Sequence, residues 1–164
     1  MNYKEKLIAE IQREGLSTQK LLKAVPSDQF NWRPHEKSMN LLQLAQHIAQ
    51  ISHYPQIIAT SEFLDFANDT RKIPNINTVE DLVAFSKEGT EKSVVALSNL
   101  SETDLEKKWV MKRGDIIIIE NTKDFVIRHV GLNHLYHHRG QLGVYLRLLN
   151  VPVPGMYGRS ADEK

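Results

Sequence analysis

Three of the seven histidines in the sequence stand within five residues, at His134, His137 and His138 of the stretch NHLYHHRGQL. Histidine is the commonest metal ligand in proteins and the usual proton carrier near neutral pH, so the cluster can hold a metal ion or move protons. Histidines also occur on solvent-facing helix surfaces without a chemical role. The direction in which each ring points therefore decides between these interpretations.

The apolar residues around the cluster define one face of a helix. Six of them lie within about 80° of His138 on a helical wheel of about 100° per residue: Ile127, Leu135, Leu142, Tyr145, Leu146 and Leu149. On the same wheel His134 lies about 40° from His138, His137 about 100° away, and His129 on the opposite side. The pattern predicts that His134 and His138 face the core one turn apart, a spacing at which two side chains can reach one ion.

A third histidine on an apolar face is found in the segment LLQLAQHIAQISHYPQII. His47 shares its side of the wheel with four apolar or aromatic residues: Leu44, Ile51, Tyr54 and Ile58. His53 falls about 120° away, and His35 stands in a loop, so neither is favoured as a ligand. Three imidazoles would give Zn²⁺ or Ni²⁺ three nitrogen ligands and leave positions open for water or substrate. Each ring alone could instead be a core histidine hydrogen-bonded to a neighbour, but three together on apolar faces favour a metal site.

Three polar residues stand within one or two turns of these histidines on the same faces: Asn40, Gln43 and Gln141. They could orient the imidazoles or a bound water, or they could be ordinary polar residues at the end of the core. The sequence has no H-E-x-x-H motif, no G-x-S-x-G motif and no glycine-rich phosphate loop. It therefore singles out no catalytic side chain beyond the candidate ligands.

Hydrophobic periodicity predicts four helices to carry these residues, and so an all-α four-helix bundle. They cover residues 3–24, residues 38 or 40 to about 64, residues 79–99, and the segment from Thr122 to Asn150. Pro55 should kink the second helix near Ile51 rather than divide it. Before the last helix, β-branched residues around a Gly114 turn predict a short hairpin or an extended pair. Its Ile116–Ile119 run suggests buried packing or an oligomer contact.

Composition narrows the class of protein. The 164 residues are 41% hydrophobic and 25% charged, which is typical of one globular domain spanning residues 1–164. A formal charge of +1 and the lack of a basic tail argue against a nucleic-acid partner. The chain has no cysteine, so any thiol chemistry needs an external thiol. We expect no signal peptide, no membrane span and a cytoplasmic location.

Three segments resemble the DinB-like superfamily, which comprises damage-inducible and YfiT-type four-helix proteins: SMNLLQLAQHIAQI, NHLYHHRGQL and VPVPGMYGRSADE. The NWRP loop before the second helix fits as well, so the resemblance covers nearly the whole chain. It implies a bundle with an unusual helix order, a divalent metal held by His47, His134 and His138, and frequent homodimers. Related families perform thiol transfer, thiol-dependent isomerisation or hydrolysis.

Two interpretations of function follow. The first is a metal-dependent enzyme acting on a small molecule, by hydrolysis or by S-transfer with a low-molecular-weight thiol, through one Zn²⁺ or Ni²⁺ at the three histidines. The second is a non-catalytic, stress-related metal-binding dimer. An open coordination position favours the enzyme.

Overall fold

The computed structural model describes residues 1–72 and 74–163 and is mostly helical. The helices are α1 (Tyr3–Leu22), α2 (Leu41–Ile51), α3 (Tyr54–Thr60), α4 (Val79–Ser98), α5 (Glu102–Leu105), α6 (Lys123–Val126) and α7 (His134–Leu148). A 3₁₀ turn spans Ser27–Gln29, and a π-helical segment, Ile127–Asn133, joins α6 to α7. The four predicted helical regions are all present, together with a small sheet.

The sheet was predicted only in part. The expected hairpin is present as β2 (Lys108–Arg113) and β3 (Ile116–Thr122), with Gly114 at a φ of 59° in the turn. A third strand, β1 (Phe63–Asp65), pairs in parallel with β2, which gives the order β1-β2-β3. The prediction of an all-α bundle is therefore too narrow, because the end of the second predicted helix pairs with the hairpin.

The second predicted helix is divided rather than kinked. Helix α2 ends at Ile51, Ser52 and His53 form a turn, and α3 carries Pro55 in its first turn. Proline is tolerated there because the first amides of a helix have no intrahelical acceptor. The expectation of one kinked helix reaching residue 64 was wrong. Pro55 lies in the first turn of a new helix, where its missing N–H breaks no hydrogen bond and α2 is not distorted.

The helix boundaries follow local capping chemistry. Asn40 caps α2 and exchanges hydrogen bonds with Gln43, while Thr78 caps α4 by accepting from the Asp81 amide. The last helix begins after Thr122, as expected, and the chain leaves it at Asn150, which adopts a φ of 57°. Caps of this kind satisfy amides that lack an intrahelical partner.

Two apolar clusters form the core. One joins the C-terminal part of α1 to α2 and α7, and the other packs α3, the N-terminal part of α1 and the sheet around the fully buried Trp109. The first cluster forms the floor of the histidine site described below. Among the described residues, no helix combines the length and apolar character needed to cross a bilayer.

The isoleucine run of β3 is not buried within the chain. Ile116, Ile117 and Ile118 are 68%, 59% and 52% exposed, and only Ile119 packs partly on the core. The expectation of buried packing was therefore wrong for the first three. Strand β3 lies at the edge of the sheet, so the backbone groups on its outer edge pair with no described strand of this chain.

Candidate metal centre

The three histidines that the sequence placed on apolar faces converge in the structure. Nε2 of His134 lies 3.2 Å from Nε2 of His47 and 2.8 Å from Nε2 of His138. One ligand atom from each ring fits within a group whose members are all within 4.8 Å of one another. One helix supplies His47 and another supplies the i, i+4 pair, as the wheel predicts.

Apolar packing fixes the rotation of both helices. On α2, Leu44, Ile48 and Ile51 are at most 1% exposed, and on α7, Leu135 and Leu142 are buried in the same cluster. Turning either helix would bring these side chains into water, which costs roughly 1.5–3 kcal/mol for each large aliphatic group. The hydrophobic periodicity that produces the fold therefore also aims the imidazoles.

The π segment sets the rotation of the chain about the helix axis where α7 begins. Its residue Gly131 packs against α3 so closely that a Cβ there would stand 3.2 Å from Cγ of Pro55. Short π-helical turns occur frequently at functional sites. From His134 onward the helix is regular, so His134 and His138 keep the one-turn spacing.

The environment of the site favours neutral rings. Burial, with smaller contributions from the two neighbouring histidines, lowers the pKa of His47 to about 4. Burial also lowers the pKa values of His134 and His138, the latter being only 7% exposed. Neutral imidazole is the form that binds a metal.

A hydrogen bond on the far side of the His138 ring fixes which of its nitrogens carries the proton. Nδ1–H of His138 donates to Oε1 of Gln141 at 2.8 Å, because an amide oxygen can only accept. A neutral imidazole carries one N–H, so Nε2 of His138 presents its lone pair toward Nε2 of His134, 2.8 Å away. Nε2 of His138 therefore carries no proton and is available as a ligand.

The lowered pKa values disfavour an additional proton among the three rings, and a divalent cation is a group that converging neutral imidazole nitrogens can share. Zinc–nitrogen bonds of about 2.0–2.1 Å in a tetrahedral site place the ligand nitrogens about 3.4 Å apart. The measured separations of 2.8 and 3.2 Å are slightly shorter than this. The donor set and its spacing therefore fit a divalent metal ion.

The remaining histidines lie elsewhere. His137 is exposed and its Nε2 accepts from Nε2 of Gln141 at 3.0 Å, so Gln141 links it to His138. His53 points away from the site and bonds the Phe85 carbonyl at 3.0 Å. His35 and His129 are exposed. This distribution agrees with the sequence-based choice of three rings.

The three polar neighbours predicted around the site differ in position. Gln141 contacts His138 directly, whereas Asn40 and Gln43 bond to each other's backbone amides at 2.8 and 2.9 Å. Their observed hydrogen bonds are those of a capping box, which starts α2 seven residues before His47. Their contribution to the site is the placement of the helix that carries His47.

Sequence reasoning missed a buried ion pair beside the site. Arg139 and Glu14 are each 4% exposed, with Nη2 of Arg139 donating to Oε2 of Glu14 at 2.6 Å. The Tyr157 hydroxyl donates to the same carboxylate oxygen at 2.8 Å, and Thr18 accepts from Arg139 at 3.2 Å. The signal was available, because Arg139 falls about 100° from His138, next to Leu146 on the apolar side of the wheel.

Acid should destabilise the metal-free protein through His47. Its pKa is about 4 in the fold against 6.5 ordinarily, so the unfolded chain binds more protons between these values and stability falls as the pH drops through that window. We expect the free energy of unfolding, measured with urea, to fall more for wild type than for His47→Ala between pH 7 and pH 4.5. A matched His35→Ala variant, changed at an exposed ring, should follow wild type. An identical pH slope for wild type and His47→Ala would contradict the prediction.

Known proteins share this architecture. A crystal structure of a DinB-like protein from Bacillus subtilis, YjoA, superimposes with a TM-score of 0.71 at 23% identity, covering 94% of this chain and 99% of that one. A DinB-like protein from Bacillus cereus gives a TM-score of 0.71 at 24% identity, covering 93% and 97%. These two likenesses establish the fold.

Sequence comparison points the same way. The uncharacterized protein YjoA of Bacillus subtilis is 27% identical in an alignment of 138 residues, and the match covers 79% of this chain and 80% of that protein. The model of the DinB family matches residues 1–164. The chain therefore belongs to the DinB family.

Proposed function

We propose that His47, His134 and His138 hold one divalent ion, Zn²⁺ or Ni²⁺, and that the protein uses it to act on a small molecule. The observation that carries the proposal is the convergence of three Nε2 atoms, with Nε2 of His134 2.8 Å from that of His138 and 3.2 Å from that of His47. Imidazole nitrogen suits both metals. Three protein ligands leave a coordination position for an exchangeable group, which is the arrangement of catalytic rather than structural zinc.

The chain's own residues orient and shelter this centre. Gln141 fixes the His138 ring through Nδ1. Partners of this kind hold the tautomer and raise the basicity of the ligand. The apolar cluster keeps water from the inner side of the rings, so a substrate must reach the ion from a solvent-exposed side.

The proposed reactions are S-transfer with a low-molecular-weight thiol or hydrolysis. A bound divalent ion supplies Lewis acidity, which lowers the pKa of a thiol or of water toward neutrality. The absence of cysteine fits S-transfer, because the nucleophilic sulfur would then come from the cosubstrate. Membership of the DinB family agrees with either reaction.

Metal analysis tests the proposal most directly. We expect one Zn²⁺ or Ni²⁺ ion per chain after purification without chelators, because the described residues contain one such group of three histidines. Elemental analysis of the protein, before and after reconstitution at neutral pH, measures the ratio. Less than about a tenth of an ion per chain after reconstitution would exclude a site of useful affinity.

A non-catalytic metal-binding dimer is the second candidate, and the exposed isoleucines of β3 favour its dimeric part. Three neighbouring exposed isoleucines on an edge strand favour pairing with another chain.

We therefore expect a homodimer, and we expect Ile117→Lys to shift the equilibrium toward the monomer. Light scattering at tens of micromolar measures this, with Val144→Lys as a control at an exposed site on α7. A wild type that is monomeric throughout would contradict the prediction. The enzyme and the non-catalytic metal-binding dimer differ in turnover, which assays with thiols and electrophiles would detect.

A further inference from the structure

A cleft lies beside the α2–α3 turn, next to the helix that carries His47. It measures about 500 Å³, and its walls come from α2, α3, α4 and the segment after β1. The residues that matter here are Gln50, Tyr54, Phe66, Arg71, Lys72 and Phe85. The metal ligands are not among its lining residues, so the cleft is a separate feature of the surface.

The helix that carries His47 also carries one edge of the cleft. Gln50 follows His47 by three residues in α2, which places it about 4.5 Å further along the axis and about 60° around it. Tyr54 begins α3 just beyond the turn and packs on both apolar clusters. A molecule seated in the cleft can therefore extend along α2 toward His47.

The walls of the cleft are aromatic. Tyr54, Phe66 and Phe85 are all partly buried, and the His53 ring lies on Phe85 with centroids 4.1 Å apart. Burial raises the pKa of the Tyr54 hydroxyl, so it stays protonated and can donate a hydrogen bond. Flat apolar groups suit such walls, because aromatic rings bury large areas in offset or edge-on contacts.

The polar rim of the cleft favours a negative ligand. Asp69 holds Arg71 through Nε at 2.8 Å and Nη2 at 2.6 Å, so this pair leaves Nη1 of the guanidinium unused. Lys92 pairs with Glu88 at 2.6 Å, and Lys72 is exposed. The three cations of the lining exceed its two carboxylates by one. With the Tyr54 hydroxyl and the Gln50 amide, donors of hydrogen bonds surround an apolar slot.

We propose that this cleft binds a small organic anion, a carboxylate on a flat or aromatic apolar body, and that it recognises the part of the substrate that does not react. Arg71 and Lys72 bind the carboxylate, the aromatic walls hold the body, and the other end of the molecule points along α2 to the histidine centre. The inference rests on the proposed function where it names the bound molecule as the substrate. Binding in the cleft itself needs no metal.

The test uses 3-phenylpropionate as the probe and 3-phenylpropionamide as its uncharged match. We expect the carboxylate, titrated into the ¹⁵N-labelled metal-free protein, to shift the amides of Gln50, Arg71 and Phe85 in a saturable way. Arg71→Gln and the uncharged amide should each weaken binding about tenfold or more, because the charge-assisted hydrogen bonds are lost. Arg147→Gln is the matched control, since Arg147 forms an ion pair with Asp162 at the same 2.6 Å as Arg71 with Asp69.

The outcomes separate the cleft from the metal centre. Equal binding of the amide, equal weakening in Arg147→Gln, or shifts confined to other surfaces would overturn the inference. With Co²⁺ bound at the three histidines, the probe protons should relax faster in wild type than in His138→Ala. If the protons of the bound probe relax no faster in the Co²⁺-loaded wild type than in His138→Ala, the proposed orientation is overturned. Failure to load Co²⁺ would count against the metal centre alone, because the metal-free titration still decides whether the cleft binds the anion.

Discussion

His138→Ala should eliminate metal binding, whereas His137→Ala should leave one ion per chain. The two residues are adjacent in sequence, yet His138 directs Nε2 at His134 from 2.8 Å and His137 is exposed. Removing a ligand leaves two imidazoles, which hold Zn²⁺ far more weakly than three. Removing His137 takes away only a contact to Gln141, and losses of such outer contacts weaken metal affinity by roughly 10- to 100-fold. Elemental analysis and titration calorimetry on both variants measure the difference.

Four further variants provide the controls. His47→Ala and His134→Ala should behave like His138→Ala, and His53→Ala should behave like wild type, because its ring bonds the Phe85 carbonyl. Gln141→Ala should keep its ion with reduced affinity, since it removes the acceptor that holds Nδ1 of His138. A His137→Ala protein without metal beside a His138→Ala protein with it would refute the assignment of ligands.

Arg139→Met should reduce the free energy of unfolding by roughly 3–5 kcal/mol, the usual cost of leaving one partner of a buried ion pair alone. Glu14 would keep a carboxylate that is 4% exposed, with the Tyr157 hydroxyl as a hydrogen-bond donor and the mostly exposed Arg13 side chain 3.5 Å from its other oxygen. The variant also loses the packing of the guanidinium over the Tyr136 ring, whose centroid lies 5.2 Å away. Urea denaturation of the metal-free protein measures the change.

The ion pair offers a matched comparison. Arg147→Met breaks an exposed pair with Asp162 at the same 2.6 Å distance and should cost only about 0–1 kcal/mol. The double variant Arg139→Met with Glu14→Leu should regain much of the lost stability, because no charge is then left buried. Equal losses for Arg139→Met and Arg147→Met would show that burial adds nothing to this pair.

The convergence of the three histidines was predictable because it depends on the local geometry of two helices. Apolar spacing around His47 and His138 fixed the inward faces, and the i, i+4 relation of His134 to His138 needs only helical regularity. Gln141 could be placed near His138 for the same reason. The approach of α2 to α7 came from the expectation of a bundle, since a wheel describes one helix at a time.

The features that were missed depend on distant parts of the chain. Strand β1 forms because Phe63 to Asp65 pair with Val110 to Lys112, more than forty residues later. Hydrophobic periodicity describes one segment at a time and cannot reveal a distant pairing partner. Tertiary contacts also routinely override local propensity. The burial of Arg139 likewise requires Glu14 from α1 and Tyr157 from the tail. The exposure of the isoleucine run follows from the position of β3 at the edge of the sheet.

The π segment Ile127–Asn133 sets the direction in which the histidine pair points. A π turn closes its hydrogen bonds five residues apart where an α turn closes them four apart, so it accommodates about one residue more per turn without advancing the helix that follows. If all residues of the segment were kept and wound as a regular α-helix, they would carry about one residue's extra rotation, and His134 and His138 would turn by about 100° relative to α6. A change in the hydrogen-bond spacing of this segment would therefore turn both imidazoles away from His47 without altering a side chain.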